Sequence, residues 1–135
     1  MRKLVITLIA IIMLVLVGCG NNENEAHNNE SVGDSEMKYD TIELDEVLTY
    51  EENGYTIVDV REVDEYEDGH IPTAVNVPLS DIEAEEYADL DENEKYVIIC
   101  RSGNRSQTAS SLLIDAGFHV VNVKEGMLTW PGDVE

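Results

Sequence analysis

Short β-branched and aromatic runs, separated by stretches of helical spacing, constrain this chain more than any other feature of its sequence. Tyr55-Thr56-Ile57-Val58-Asp59-Val60, Tyr96-Val97-Ile98-Ile99 and His119 to Val123 are apolar on most of their residues rather than on alternate ones. Strands of that kind are covered on both faces, and they are typically parallel and joined by helices. The spacing of Leu44, Val47 and Leu48 marks a helix, as do the acidic stretch Val63 to Glu67, a stretch holding Ile82 and Tyr87, and the set Ala109, Leu112, Leu113 and Ala116 before Gly117. Shorter strands are expected at Thr41-Ile42 and from Ala74 to Val77, the second after an extended exit forced by Ile71-Pro72. The fold class is therefore α/β, a mainly parallel sheet with helices on both faces.

Ligands of such sheets meet the carboxyl ends of the strands, and one thiol falls there. Cys100 ends the Tyr96 strand and opens the run Cys100-Arg101-Ser102-Gly103-Asn104-Arg105-Ser106, which leads into the Leu112 helix. In a strand-loop-helix turn, successive backbone N–H groups and the positive end of the helix favour an anion, so the loop favours a thiolate. Arg101 and Arg105 add cationic charge, and Gly103 permits a backbone conformation that a residue with a Cβ resists. A lone cysteine after Val-Ile-Ile would ordinarily be an inert core residue. The glycine, two arginines and two serines after it favour a reactive one. Ser102 and Ser106 suit donation to a bound anion, or Ser106 caps the helix.

This loop resembles the active-site loop of single-domain rhodanese-like sulfurtransferases. Further blocks agree in order: Asp59-Val60-Arg61, Glu65-Tyr66 and Gly69-His70-Ile71-Pro72 with Ala74, Asn76 and Pro78, then Gly126-Met127 with Trp130. Thr73 and Glu125 depart from the family pattern, each standing where glycine is common. The resemblance implies a rhodanese-like fold in which Cys100 takes a sulfane sulfur from a donor and carries it as a persulfide. Arg101, Ser102, Gly103, Asn104, Arg105 and Ser106 would form the substrate loop, with Asp59 and Arg61 in support. It also implies a small anionic donor such as thiosulfate, a protein as sulfur acceptor, and no cofactor. Related phosphatases place the arginine after five residues rather than the four that precede Arg105, so phosphatase or arsenate reductase chemistry is disfavoured. His70 is expected to make turn hydrogen bonds and Trp130 to join the core. The three histidines and two cysteines lack ligand spacing for a metal.

The N-terminus has a different character. Met1-Arg2-Lys3 is basic and residues 4–17 are almost wholly apolar, the composition of a secretion signal. Leu16-Val17-Gly18-Cys19 resembles the lipobox of bacterial lipoproteins, which implies cleavage before Cys19 and lipid on it. The alternative is an uncleaved membrane helix, but the segment falls short of the roughly 20 residues that span a bilayer. Either way the domain is expected outside the cytoplasm on a membrane surface. The divisions are then a signal at 1–18, a lipidated Cys19 with an Asn-, Glu- and Ser-rich tether at 19–37, and a folded domain at 38–135. His27 lies in the tether without neighbouring ligands.

With Cys19 lipidated, Cys100 would be left as a single thiol with no intramolecular partner. In an oxidising compartment it would then serve sulfur chemistry or depend on an external reductant. The formal charge is −21, and removal of Arg2 and Lys3 with the signal would make it −23. Such a surface repels phosphates, which excludes nucleic acid as a natural partner. It also makes two arginines in one loop conspicuous. Two function classes follow, a sulfur-transferring enzyme and a low-turnover carrier or redox-sensing module.

Overall fold

Every strand runs parallel to its neighbours: β1 (Asp40–Ile42), β2 (Tyr55–Asp59), β3 (Val75–Asn76), β4 (Lys95–Cys100) and β5 (His119–Gly126). They form one five-stranded sheet in the order β1-β5-β4-β2-β3, with helices α1 (Val47–Glu52), α2 (Val63–Glu67), α3 (Leu79–Glu83) and α4 (Asn104–Asp115) between them. A computed structural model describes residues 38–135. The signal at 1–18, Cys19 and the 19–37 tether, with His27, lie outside the described residues.

Strand β4 sits at the centre of the sheet and buries all but its first residue. Its side chains alternate between two apolar layers. Tyr96, Ile98 and Cys100 join Val58, Val60, Ala109, Leu113 and Phe118 on one face, and Val97 and Ile99 join Ile42, Val47, Ile57 and Val123 on the other. Both layers being apolar, the strand reads as a continuous run in sequence. Each fully buried Ile or Val contributes about 1.5–3 kcal/mol of transfer free energy.

From β2 the chain steps outward to β3, then returns across β2 to β4 and continues outward on the other side to β5. The order therefore reverses between β2 and β4, and the crevice beyond the carboxyl ends of strands at such a reversal is where ligands bind in open α/β sheets. Cys100 ends β4 at that crevice.

Several expected elements are shifted. The Ala74–Val77 strand shrinks to Val75–Asn76, because Ala74 N–H bonds back to Ile71 O in a turn. The expected helix around Ile82 and Tyr87 is only Leu79–Glu83, and Glu85 at φ 60 turns the chain away. Tyr87 packs edge-on against Phe118 instead, 5.3 Å between centroids. On α4 the buried face is Ser106, Ala109, Ser110 and Leu113, while Leu112 is exposed. Small residues on that face let the helix approach the sheet closely, a fit that apolar periodicity alone does not reveal.

Candidate active site

The end of β4 and the start of α4 together enclose the Cys100 sulfur. Only 1% of the residue is exposed. Gly103 N–H donates to Sγ at 3.1 Å, and the Ser106 hydroxyl lies 3.6 Å from Sγ. That hydroxyl reaches the carbonyls of Gly103 at 3.1 Å and Val123 at 3.3 Å. Ser106 is therefore fully buried and bonded to carbonyls rather than capping the helix. Gln107 Nε2 adds a second bond to Gly103 O at 2.9 Å. Arg101, Ser102 and Asn104 are exposed on the outer side of the loop.

Two glycines let the loop close this tightly. Gly103 is left-handed, at φ 89, and a Cβ there would lie 2.0 Å from Lys124 O. Gly126 has extended backbone and lies opposite Cys100 in the β4–β5 pairing, where a Cβ would come 2.3 Å from Cys100 O. Leu128 N–H then bonds Arg101 O at 3.0 Å, so the Gly126-Met127 block forms the outer wall of the loop. Glu125 is accommodated in β5 with its carboxylate accepting from Leu44 N–H at 3.1 Å.

The two arginines differ. Arg105 is directed at Glu65 on α2, with Nη2 donating to Oε1 at 2.8 Å and Nη1 to Oε2. Arg101 pairs with no carboxylate among the described residues. Hydrogen bonding from Arg105 is the main reason that the Glu65 carboxyl is held down to about 2; burial opposes it, and the Glu62 N–H and the charges of Arg105 and Arg61 assist. The same hydrogen bonds push Arg105 further above its ordinary value, and a Cys100 thiolate adds to this through its charge. A depressed carboxyl pKa contributes stability that is present above the unfolded value, 4.5 here, and is lost as pH falls toward 2. Urea unfolding between pH 5.5 and about 2 should therefore show a steeper loss for the wild type than for Glu65→Gln. Equal slopes would mean that the pair contributes nothing.

Asp59 and Arg61 stand beside the loop. Asp59 pairs with Ile99, the residue before Cys100, and is 1% exposed. Its carboxylate accepts from Arg61 Nε at 2.9 Å and Nη2 at 2.6 Å, and Arg61 Nη2 also reaches Gly69 O at 2.9 Å. Breaking a buried pair by removing one partner leaves the other charge uncompensated, at a cost of about 3–5 kcal/mol. Asp59→Ala should lose that much in urea unfolding, whereas a change below about 1 kcal/mol would mean that Arg61 finds water. Beyond Gly69, His70 lies stacked on Tyr66 at 3.6 Å between centroids, with Nδ1 2.9 Å from Tyr66 O in its own turn, while its backbone exchanges two 3.0 Å hydrogen bonds with Glu135 and Nε2 lies 3.7 Å from Glu135 Oε1. Trp130 packs on the second apolar layer and donates to Asp133 O at 3.1 Å.

Residues 43–133 match the family described as the rhodanese-like domain. The chain belongs to the rhodanese-like family. Its relatives include the Bacillus subtilis protein named "Putative sulfurtransferase YtwF", 41% identical over 95 residues, which span 70% of this chain and 90% of that one. A second B. subtilis protein, named "Putative sulfur carrier protein YrkF", is 45% identical over 80 residues, 58% of this chain but only 43% of its own length. Among solved structures, a rhodanese-related protein from Thermoplasma volcanium aligns with a TM-score of 0.64 at 33% identity, over 72% of this chain and 98% of that one. Relatives of this rhodanese-like domain are thus named for sulfur transfer or sulfur carriage.

Within the rhodanese-like domain, the structure brings Cys100, Gly103 and Ser106 together and turns Arg105 aside. The pairing of Glu65 with Arg105 is not legible in the sequence, since Glu65 lies 40 positions earlier with β3, α3 and β4 between them. Gln107 and the Lys124 carbonyl were equally silent, because each acts through the backbone of Gly103.

Proposed function

We propose that this rhodanese-like domain is a sulfurtransferase in which Cys100 carries sulfur from an anionic sulfane donor, such as thiosulfate, to an acceptor. The observation that supports it most is the Gly103 N–H aimed at the Cys100 Sγ from the start of α4. The Cys100 thiolate attacks the outer sulfur of thiosulfate, the sulfur–sulfur bond breaks, and sulfite leaves with its electron pair. The persulfide anion then lies against the loop N–H groups, which offset its charge. A nucleophile such as cyanide or an acceptor protein's thiolate takes the outer sulfur and returns Cys100 to the thiolate. No net oxidant or reductant is consumed with cyanide.

The same proposal places the domain outside the cytoplasm, held to the cell membrane by lipid on Cys19, on the strength of the N-terminal sequence. Among the described residues no helix is long and apolar enough to cross a membrane. The mass of the protein isolated from its native membrane tests this: a diacylglyceryl-modified Cys19 at the N-terminus is expected, and an unmodified Met1 would overturn it.

A second reading, a low-turnover sulfur carrier, is favoured by the 1% exposure of Cys100, which shields a bound sulfur from small nucleophiles in solution. Incubating the chain with thiosulfate and cyanide separates the two. Repeated thiocyanate release supports the enzyme, and one stoichiometric burst supports the carrier. Phosphatase chemistry gains no support, since Arg105 points to Glu65 and a phosphate would need that guanidinium over the loop.

A further inference from the structure

Charges of alternating sign run from the end of β2 to the sulfur. Asp59 pairs with Arg61, Glu65 on the next helix clamps Arg105, and Arg105 lies in the first turn of α4, beside the loop that holds Cys100. The Glu65–Arg105 pair is two-pronged and about one-third exposed, with side chains 29% and 31% accessible. A guanidinium that forks onto a carboxylate presents almost no net charge to a third group. An approaching donor therefore meets one uncompensated side-chain cation on the loop, Arg101. The thiolate and a chain of −21 oppose any anion that approaches.

We propose that Glu65 is a specificity-determining residue: by neutralising Arg105 it disfavours dianionic donors such as thiosulfate relative to sulfane donors of lower charge, such as monoanionic organic persulfides. The proposal rests on the sulfur-transfer reading for its substrate class but not for its electrostatics. Glu65 touches no reacting atom and acts through Arg105, so it is a positioning residue whose effect is a change in field.

The test uses the full-length chain in non-ionic detergent and compares Cys100 alkylation by iodoacetate, an anion, with that by neutral iodoacetamide. The ratio of the two rates cancels differences in thiolate fraction and in general access. It should rise about threefold or more in Glu65→Gln, where Arg105 is uncovered, and fall by a similar factor in Arg105→Gln, where Glu65 is uncovered. In the double variant it should return close to the wild-type ratio, and raising the salt should shrink every difference. A merely structural clamp would loosen the loop in all three variants and move both reagents together. That pattern, or an unchanged ratio in Glu65→Gln, overturns the proposal.

Turnover supplies a second readout. In Glu65→Gln the KM for thiosulfate should fall about threefold or more relative to that for an organic persulfide. If the wild type forms no thiocyanate while the alkylation ratios follow the charges, the sulfur-transfer reading fails and the role of Glu65 in the loop's field stands.

Discussion

Cys100→Ser should reduce thiocyanate formation from thiosulfate and cyanide to the uncatalysed background, a loss of at least about a thousandfold. A serine hydroxyl is un-ionised near neutral pH and has no adjacent base in this loop, since the His70 ring is engaged by Tyr66 O and Glu135. It also cannot form a persulfide, so no alternative route through the same intermediate exists. The substitution removes little volume, and the hydroxyl can still accept from Gly103 N–H, which donates to Sγ at 3.1 Å in the wild type. Stability should therefore change by less than about 1.5 kcal/mol. Lost activity together with a preserved unfolding midpoint would assign the effect to chemistry. Equal rates for the two proteins would remove Cys100 from the mechanism.

Gly103→Ala should be severely damaging for a change of one methyl group. Its φ of 89 costs an L-residue about 1–2 kcal/mol, and its new Cβ would also fall 2.0 Å from the Lys124 carbonyl oxygen. Backbone on β5 must move, or the loop must rotate and withdraw the N–H that faces Sγ. We expect a loss of about 2–4 kcal/mol in urea unfolding and a fall of about a hundredfold in sulfur transfer. Gly54→Ala separates the two causes, because Gly54 has φ 87 with nothing within 4 Å of its Cβ position. That variant should lose only about 1 kcal/mol and keep full turnover. If Gly103→Ala behaves like Gly54→Ala, the contact with Lys124 is softer than the geometry indicates.

The contrast between these glycines shows what sequence could convey. That Cys100 ends a buried strand and precedes a helix was legible, because strand burial on both faces writes an uninterrupted apolar run and a helix writes its own period. The need for Gly103 was legible as conformational freedom, but its closeness to Lys124 was not, since that contact joins residues of different elements. The arginines looked alike in sequence. Only the packing of α2 against the loop distinguishes Arg105, clamped by Glu65, from exposed Arg101. Leu112 was misplaced for the opposite reason, because apolar spacing favoured it over Ser106 and Ser110, which are buried where α4 meets the sheet. A buried serine on a helix facing a sheet carries no signal in hydropathy.

The charge on the loop links these points to function. A thiolate, a dianionic donor and an acidic chain repel one another, so the loop must supply positive potential from backbone N–H groups and from whichever guanidinium is uncovered. The structure commits Arg105 to Glu65 and leaves Arg101 exposed. Donor choice is then a matter of how much negative charge the remaining field tolerates.

The most direct test of sulfur carriage is the intact mass of the reduced chain after one equivalent of thiosulfate, followed by peptide mapping and a chase with cyanide. The expected result is a gain of one sulfur atom on the peptide containing Cys100, sulfite released in equal amount, and loss of that sulfur as thiocyanate on the chase. A chain whose mass is unchanged by thiosulfate and by polysulfide alike, or one in which the added sulfur persists in Cys100→Ser, would contradict it.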